Sequence, residues 1–135
     1  MASFSFLDCR LEINSVVMSG FSTSVTLKIE ADDNENTAFG QTFRTRIAGL
    51  KDWSVDIDFN SDFASSAVDQ TIYPLLATVT TIKVRPTTAA ISTTNPEYTG
   101  SVLVTEYTPL DGGVGDLATV SVSWPGTGTL TRNTT

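Results

Sequence analysis

The chain is predicted to be mainly β: a β-sandwich or rolled β-barrel with one flanking α-helix, forming a single domain over residues 1–135. Three observations predict it. Apolar and polar residues alternate with period two in segment after segment, whereas only one stretch repeats at helical spacing. Fourteen Ser and 22 Thr fill more than a quarter of the 135 residues, and β-branched Thr suits a pleated, half-buried surface. A chain of this length buries about two-thirds of its unfolded surface, enough for one hydrophobic core without metals or disulfides.

Taken in order, Leu11 and Ile13 alternate with Glu12 and Asn14, and a turn falls near Ser19-Gly20. Val25, Leu27, Ile29 and Ala31 then alternate with Ser24, Thr26, Lys28 and Glu30. The run Asp32-Asp33-Asn34-Glu35-Asn36 reads as a polar, turn-prone insert, and residues 32–40 as a loop. Phe43, Thr45 and Ile47 alternate with Thr42, Arg44 and Arg46 as a further strand. Next comes the clearest strand, with Trp53, Val55, Ile57 and Phe59 on one face and Asp52, Ser54, Asp56 and Asp58 on the other.

Residues 61–77 read as the helix, with Ala64, Val68, Ile72 and Leu76 repeating every four residues. Ser61 or Asp62 can cap its start, Ser66-x-x-Asp69 offers a second capping box, and Pro74 predicts a kink or break. Val79, Ile82 and Val84 form a strand stopped by Pro86, and residues 86–100 read as a loop. Val102, Leu103, Val104 and Tyr107 suggest another strand. Asp111-Gly112-Gly113-Val114-Gly115-Asp116 is a flexible turn before a strand carrying Val120, Val122 and Trp124 on one face. Pro125-Gly126 is expected to end that strand, leaving residues 125–135 as a C-terminal extension.

Charge and composition exclude several functions. The formal net charge is −7 and no basic run exists, so a phosphate backbone would be repelled and not gripped. The acidity is concentrated in the first half: residues 1–69 hold eleven acids and five bases. With no His, Ser-His-Asp and Cys-His triads are impossible. Lone Cys9 reads as a small apolar strand residue without a neighbouring base. Asp56 and Asp58, two apart on one strand face, are neighbours on a solvated surface and not carboxylates facing across a cleft. Asp32-x-Asn34-x-Asn36 begins like a calcium loop but fails at Thr37 and Phe43, where Gly and Glu are needed. Gly113-x-Gly115-x-x-Ala118 precedes a strand and not a helix, so it is a turn and not a dinucleotide fingerprint. No enzyme activity, cofactor or metal is expected. The N-terminus lacks a signal-peptide pattern and no stretch approaches membrane-spanning length. The expected site of synthesis is therefore the cytoplasm, with no membrane insertion.

Four stretches, in order, resemble the tail tube (major tail) proteins of long-tailed bacteriophages. They are residues 24–31 leading to Asn36-Thr37-Ala38-Phe39-Gly40; Ile47-Ala48-Gly49-Leu50-Lys51-Asp52-Trp53-Ser54-Val55; the helix ending Ile72-Tyr73-Pro74-Leu75-Leu76; and Gly112-Gly113-Val114-Gly115 followed by residues 118–122 and then 126–132. The resemblance implies a virion tail protein whose copies form homo-hexameric rings, strands from six copies closing one inner barrel. Stacked rings then make a tube through which DNA passes without specific binding. It also implies contacts with other tail proteins such as the tape measure, tail terminator and distal tail proteins. Four strands per copy, 24 in all at about 4.8 Å each, would give a circumference of about 115 Å before tilt, wide enough for a duplex. Asp52, Asp56 and Asp58 are the lumen candidates. Thr37, Ala38, Phe39 and Gly40, with Pro125, Gly126, Thr127 and Gly128, are the candidates for contacts between subunits or rings. Phe39 is an odd residue in a polar loop unless a partner receives it. A capsid decoration or head–tail completion protein is the alternative, and a carbohydrate-binding module would need exposed aromatics where Trp53 and Trp124 read as core.

Overall fold

A computed structural model describes residues 7–135; the N-terminal stretch read above for targeting signals lies largely outside them. Seven strands make one antiparallel sheet: β1 (Arg10–Ile13), β2 (Val16–Val17), β3 (Ser22–Glu35), β4 (Arg46–Asn60), β5 (Val79–Arg85), β6 (Glu97–Leu103) and β7 (Thr119–Asn133). Their order across the sheet is β2-β1-β5-β6-β7-β4-β3. Leu11 and Ile13 at one end of this order share a single core cluster with Val55, Ile57 and Phe59 near the other, so the sheet rolls over on itself. Among the described residues it does not close: β3 pairs only with β4.

Local chemistry explains the shorter elements. Asn14 and Ser15 both hold positive φ, 51° and 66°, between the β1–β2 pairs Glu12↔Val17 and Ile13↔Val16. Two consecutive left-handed residues make the tight turn whose twist matches a hairpin. The helix is shorter than its periodicity predicts: α1 covers only Val68–Ile72, followed by a 3-10 turn over Tyr73–Leu75. Ser66 sits at φ 62°, which breaks any helix entering from residue 61, and the N-cap is Ala67 without a side-chain bond. The expected Ser66 capping box is therefore absent. Asp69 instead accepts the Tyr107 hydroxyl at 2.8 Å, while Asp62 Oδ1 accepts the Ala64 N–H at 2.9 Å. The break at Pro74 is where the sequence placed it.

Strand bounds differ from the sequence reading in five places, one being that β6 ends at Leu103, so Val104 and Tyr107 lie beyond it. β3 continues through the polar run to Glu35, so only residues 36–45 connect it to β4. Residues 42–45 are not strand; β4 starts at Arg46. β6 starts at Glu97, three residues before Gly100, so the loop after Pro86 ends sooner. Pro125-Gly126 does not stop β7, which runs on to Asn133.

That last difference organises the molecule. Residues 119–125 of β7 pair with β4, Trp124 opposite Val55 and Pro125 opposite Ser54. From Gly126 onward β7 pairs with β6 instead, Gly126 opposite Val102 and Asn133 opposite Glu97. One 15-residue strand thus belongs to both halves of the rolled sheet. Where β4 and β7 part, the Trp53 indole fills the gap. A Cβ added at Gly126 would lie 2.1 Å from the Trp53 ring and one at Gly100 would lie 2.5 Å from it. Trp53 Nε1 donates to the Gly128 carbonyl at 3.1 Å. Only glycine admits the ring at this distance.

Candidate assembly surfaces

The acidic face is built by the central hairpin and β7. On β4, Trp53, Val55, Ile57 and Phe59 are buried while Asp52, Asp56 and Asp58 are exposed on the opposite side. Cross-strand partners on that side are Glu30, Thr26 and Ser24 from β3 and Ser123 and Ser121 from β7. The Ser123 hydroxyl donates to Asp56 Oδ1. Carboxylates and hydroxyls therefore cover a three-stranded surface with Lys28 as the cation among these positions, its Nζ 3.8 Å from Glu30. Such a surface repels polyanions and, being poor in apolar groups, has no tendency to bind them by stacking.

The second surface is the distal half of the β3–β4 hairpin. All residues from 28 to 52 are exposed except Thr37, so among the described residues no second layer buries this two-stranded ribbon. Ile29, Ile47, Leu50, Phe39 and Phe43 are nonetheless large and apolar, with Leu50 81% and Phe39 108% exposed. A lone two-stranded ribbon is at best marginally stable in water, and apolar groups grouped on one mark an interaction surface. A β-bulge sets the ribbon's twist: Ala31 faces Lys51 and Asp33 faces Ala48, leaving one extra residue in β4 around Gly49. The Arg46 side chain lies 3.2 Å from Asp33, an exposed pair.

The tip is ordered by side chains and not by core. Asn36 N–H donates to the Thr45 carbonyl at 2.9 Å and Thr45 N–H to Thr37 Oγ1 at 2.9 Å. Ala38 N–H donates to Gln41 Oε1 at 2.7 Å, and Gly40 takes φ 88°. This holds residues 37–40 in one turn and points Phe39 into solvent. Pro125, Gly126, Thr127 and Gly128 lie far along the chain within β7 and not in a trailing extension; Gly128 has φ 80° and Gly126 sits under Trp53. The structure therefore brings the three aspartates together on one face and separates the two groups of contact candidates.

Sequence reasoning missed Ile29, Ile47 and Leu50 as exposed groups. Their alternation marks a strand but cannot say whether a second layer covers it. Among the exposed apolar residues, Leu110, Val114 and Leu117 lie on the connection between β6 and β7, and Val79 pairs with Leu103 on the outer side. Trp53 and Trp124 are 4% and 0% exposed, so neither offers the flat aromatic platform that sugar binding requires. Burial, reinforced by the Asp8 charge, pushes the Cys9 thiol up to about 11, which keeps it protonated and unreactive at neutral pH. Among the described residues no group of three or more potential ligands could hold a metal ion. No helix among them is long and apolar enough to cross a membrane.

No family model and no curated protein matches this chain. Its fold is similar to solved structures. A chain from the virion of a native gene transfer agent (GTA) particle superposes with a TM-score of 0.75 at 12% identity, covering 93% of this chain and 95% of that one. A chain from the tail of an empty GTA particle, with C6 symmetry, gives 0.74 at 13% identity over 97% and 98%. A chain of the six-fold symmetrised baseplate of the anti-feeding prophage gives 0.53 at 8% identity over 98% and 97%. At these identities the likeness is one of fold: a tail-tube-like β fold spanning essentially the whole chain.

Proposed function

We propose that this chain is a structural subunit of a phage-type tail tube. Six copies form a ring by joining their open sheets, and rings stack through the β3–β4 ribbon. The observation that carries this reading is the unclosed sheet. Among the described residues the 14-residue β3 is paired along one side only, by β4, and an open edge is an aggregation hazard unless it is paired. Rotational closure pairs every such edge. The fold's likeness to a chain of a tail with C6 symmetry supports six as the number.

The acidic face supports the lumen assignment. It spans three strands per copy, β3, β4 and the first half of β7, fewer than the four assumed from sequence. Eighteen strands at about 4.8 Å with a tilt of about 40° still give a backbone diameter of roughly 36 Å. Side chains then leave a channel wider than a duplex. Asp52, Asp56 and Asp58 would line it, and a conduit that makes no Lys or Arg contacts to phosphate does not retain its cargo. Tape measure, terminator and distal tail proteins are the partners of such a tube, and the virion tail is its location.

Negative-stain microscopy of the concentrated, purified protein is the test. Hollow tubes of uniform width, or six-fold rings in end view, are the expected result. A monodisperse monomer at millimolar concentration would overturn the reading.

A further inference from the structure

The first half of β7 has a second open edge, and one side chain occupies it. After Leu103 the chain leaves β7 and follows residues 77–78: Val104 N–H donates to the Thr78 carbonyl at 2.9 Å and Ala77 N–H to the Val104 carbonyl at 2.8 Å. Among the described residues, the side of β7 away from β4 is thereby left without a strand over residues 119–124. Glu106 reaches back across this gap. Its Oε1 accepts the Ser123 N–H at 2.7 Å, and its backbone carbonyl accepts the Trp124 indole N–H at 3.0 Å.

Strand alternation settles which other groups share that edge. Ser123 points its N–H away from β4, so Ser121 and Thr119 do the same. Neither has an acceptor among the described residues. Pro125 takes the next outward position, where its missing N–H costs no ladder bond. The edge thus offers three donors, one of them filled by a carboxylate standing where a neighbouring strand's carbonyl would stand.

We infer that this edge is the docking site for β3 of a second copy, and that Glu106 is the plug a docking strand must displace. The inference rests on the ring reading and adds which two edges meet and what restrains them. The patterns match. β7 alternates Ser121 and Ser123 with buried Val120 and Val122, and β3 alternates Ser24 and Thr26 with half-buried Val25 and Leu27. Pairing them sets hydroxyls beside hydroxyls on the acidic side and apolar groups beside apolar groups on the core side, continuing both faces of the sheet. A one-residue slip would put Val beside Ser on both faces, so odd-numbered slips are excluded. Restraint follows from the plug: a charge-assisted bond to one edge amide must break before the ladder forms.

Assembly of the full chain followed by light scattering tests this, with electron microscopy of the end product. Glu106→Ala removes the acceptor but keeps the backbone carbonyl that holds Trp124; it is expected to shorten the assembly lag about tenfold. Glu106→Gln, which retains an acceptor oxygen, is expected to recover most of the lag. Ser121→Pro deletes an edge donor that has no partner within the subunit, and is expected to give a folded subunit that forms no rings. Hydrogen exchange on the wild type supplies a readout independent of folding defects: the Thr119 and Ser121 amides should exchange freely in the monomer and slow about 100-fold or more in tubes. If wild-type tubes form but the Ala variant keeps the same lag, or those amides stay unprotected in the tube, the inference is overturned while the ring reading stands. If the wild type never self-associates, both fall.

Discussion

At the scale of single residues, the fit of Trp53 against two glycines decides how far β7 can run. The sequence marks Trp53 as core from the alternation of β4, but Pro125-Gly126 reads as a stop, because that dipeptide usually ends a strand. What the pattern cannot show is that Pro125 turns its missing donor to an open edge and that Gly126 lacks a Cβ so that an indole 73 residues earlier can lie on it. Both are tertiary facts. Gly126→Ala is expected to lower stability by about 1–3 kcal/mol through forced displacement of the ring, read as a drop in the urea midpoint. Trp53→Phe should relieve part of that loss in the double mutant, since the smaller ring leaves room.

Cys9 carries a residue-scale prediction about pH. Its thiol is raised from 9.0 to about 11 by burial and then by Asp8. The unfolded chain releases this proton near its ordinary value while the folded chain holds it, so the folded state binds more protons across that interval. The stability contribution is complete below about pH 9 and is lost as pH rises toward 11. Burial also raises the Tyr107 phenol, helped by its bond to Asp69, and adds a change of the same sign at still higher pH. Urea midpoints measured between pH 9 and 11 should fall steadily, and Cys9→Ala should lose part of that slope; equal slopes would refute the assignment.

At the scale of elements, the ribbon formed by β3 and β4 was half legible. Val25 to Ala31 and Trp53 to Phe59 show their period plainly. The polar run at residues 32–35 hides its strand character, because Asp and Asn are poor strand formers and no core residue marks the alternation. Ladder bonds to β4 hold it in strand form anyway, with Asn34 opposite Ile47 and Glu35 opposite Arg46. The helix failed in the opposite direction. Its four-residue repeat is present, but Ser66 in a left-handed conformation leaves only five α-helical residues. Phe39 stands out in the sequence as a large aromatic in a polar loop, and in the folded chain it is fully exposed. Phe39→Ala should therefore leave the melting temperature within about 1–2 °C of wild type while shortening or abolishing tubes in negative stain. Full-length tubes from this variant would remove Phe39 from the contact between rings.

At the scale of the whole molecule, fold class and polarity were readable because they depend on sums. Period-two segments, a hydroxyl-rich composition and a net charge of −7 do not need exact element bounds. The pairing order was not readable, since antiparallel neighbours such as β1 and β5 lie some 70 residues apart and nothing in their sequences names the partner. Asp52, Asp56 and Asp58 share one exposed face, which is what a lining needs. Replacing all three by Lys changes the net charge by six, from −7 to −1. Because these side chains contribute no burial, tubes are expected to form, whereas particles built from them should retain DNA and lose infectivity by orders of magnitude in a plaque assay. Unchanged infectivity would place the face on the outside of the tube.

The strand shared between the two half-sheets also has a mechanical consequence. β7 is one continuous backbone of 15 residues, bulged around Gly128. A load applied to the β4 side reaches the β6 side as tension through covalent bonds, with no flexible linker to absorb it. The two halves cannot shear past one another without breaking ladder bonds on both flanks at once. A filament made of such units resists stretching at the level of each subunit, and any compliance it has must come from the contacts between copies.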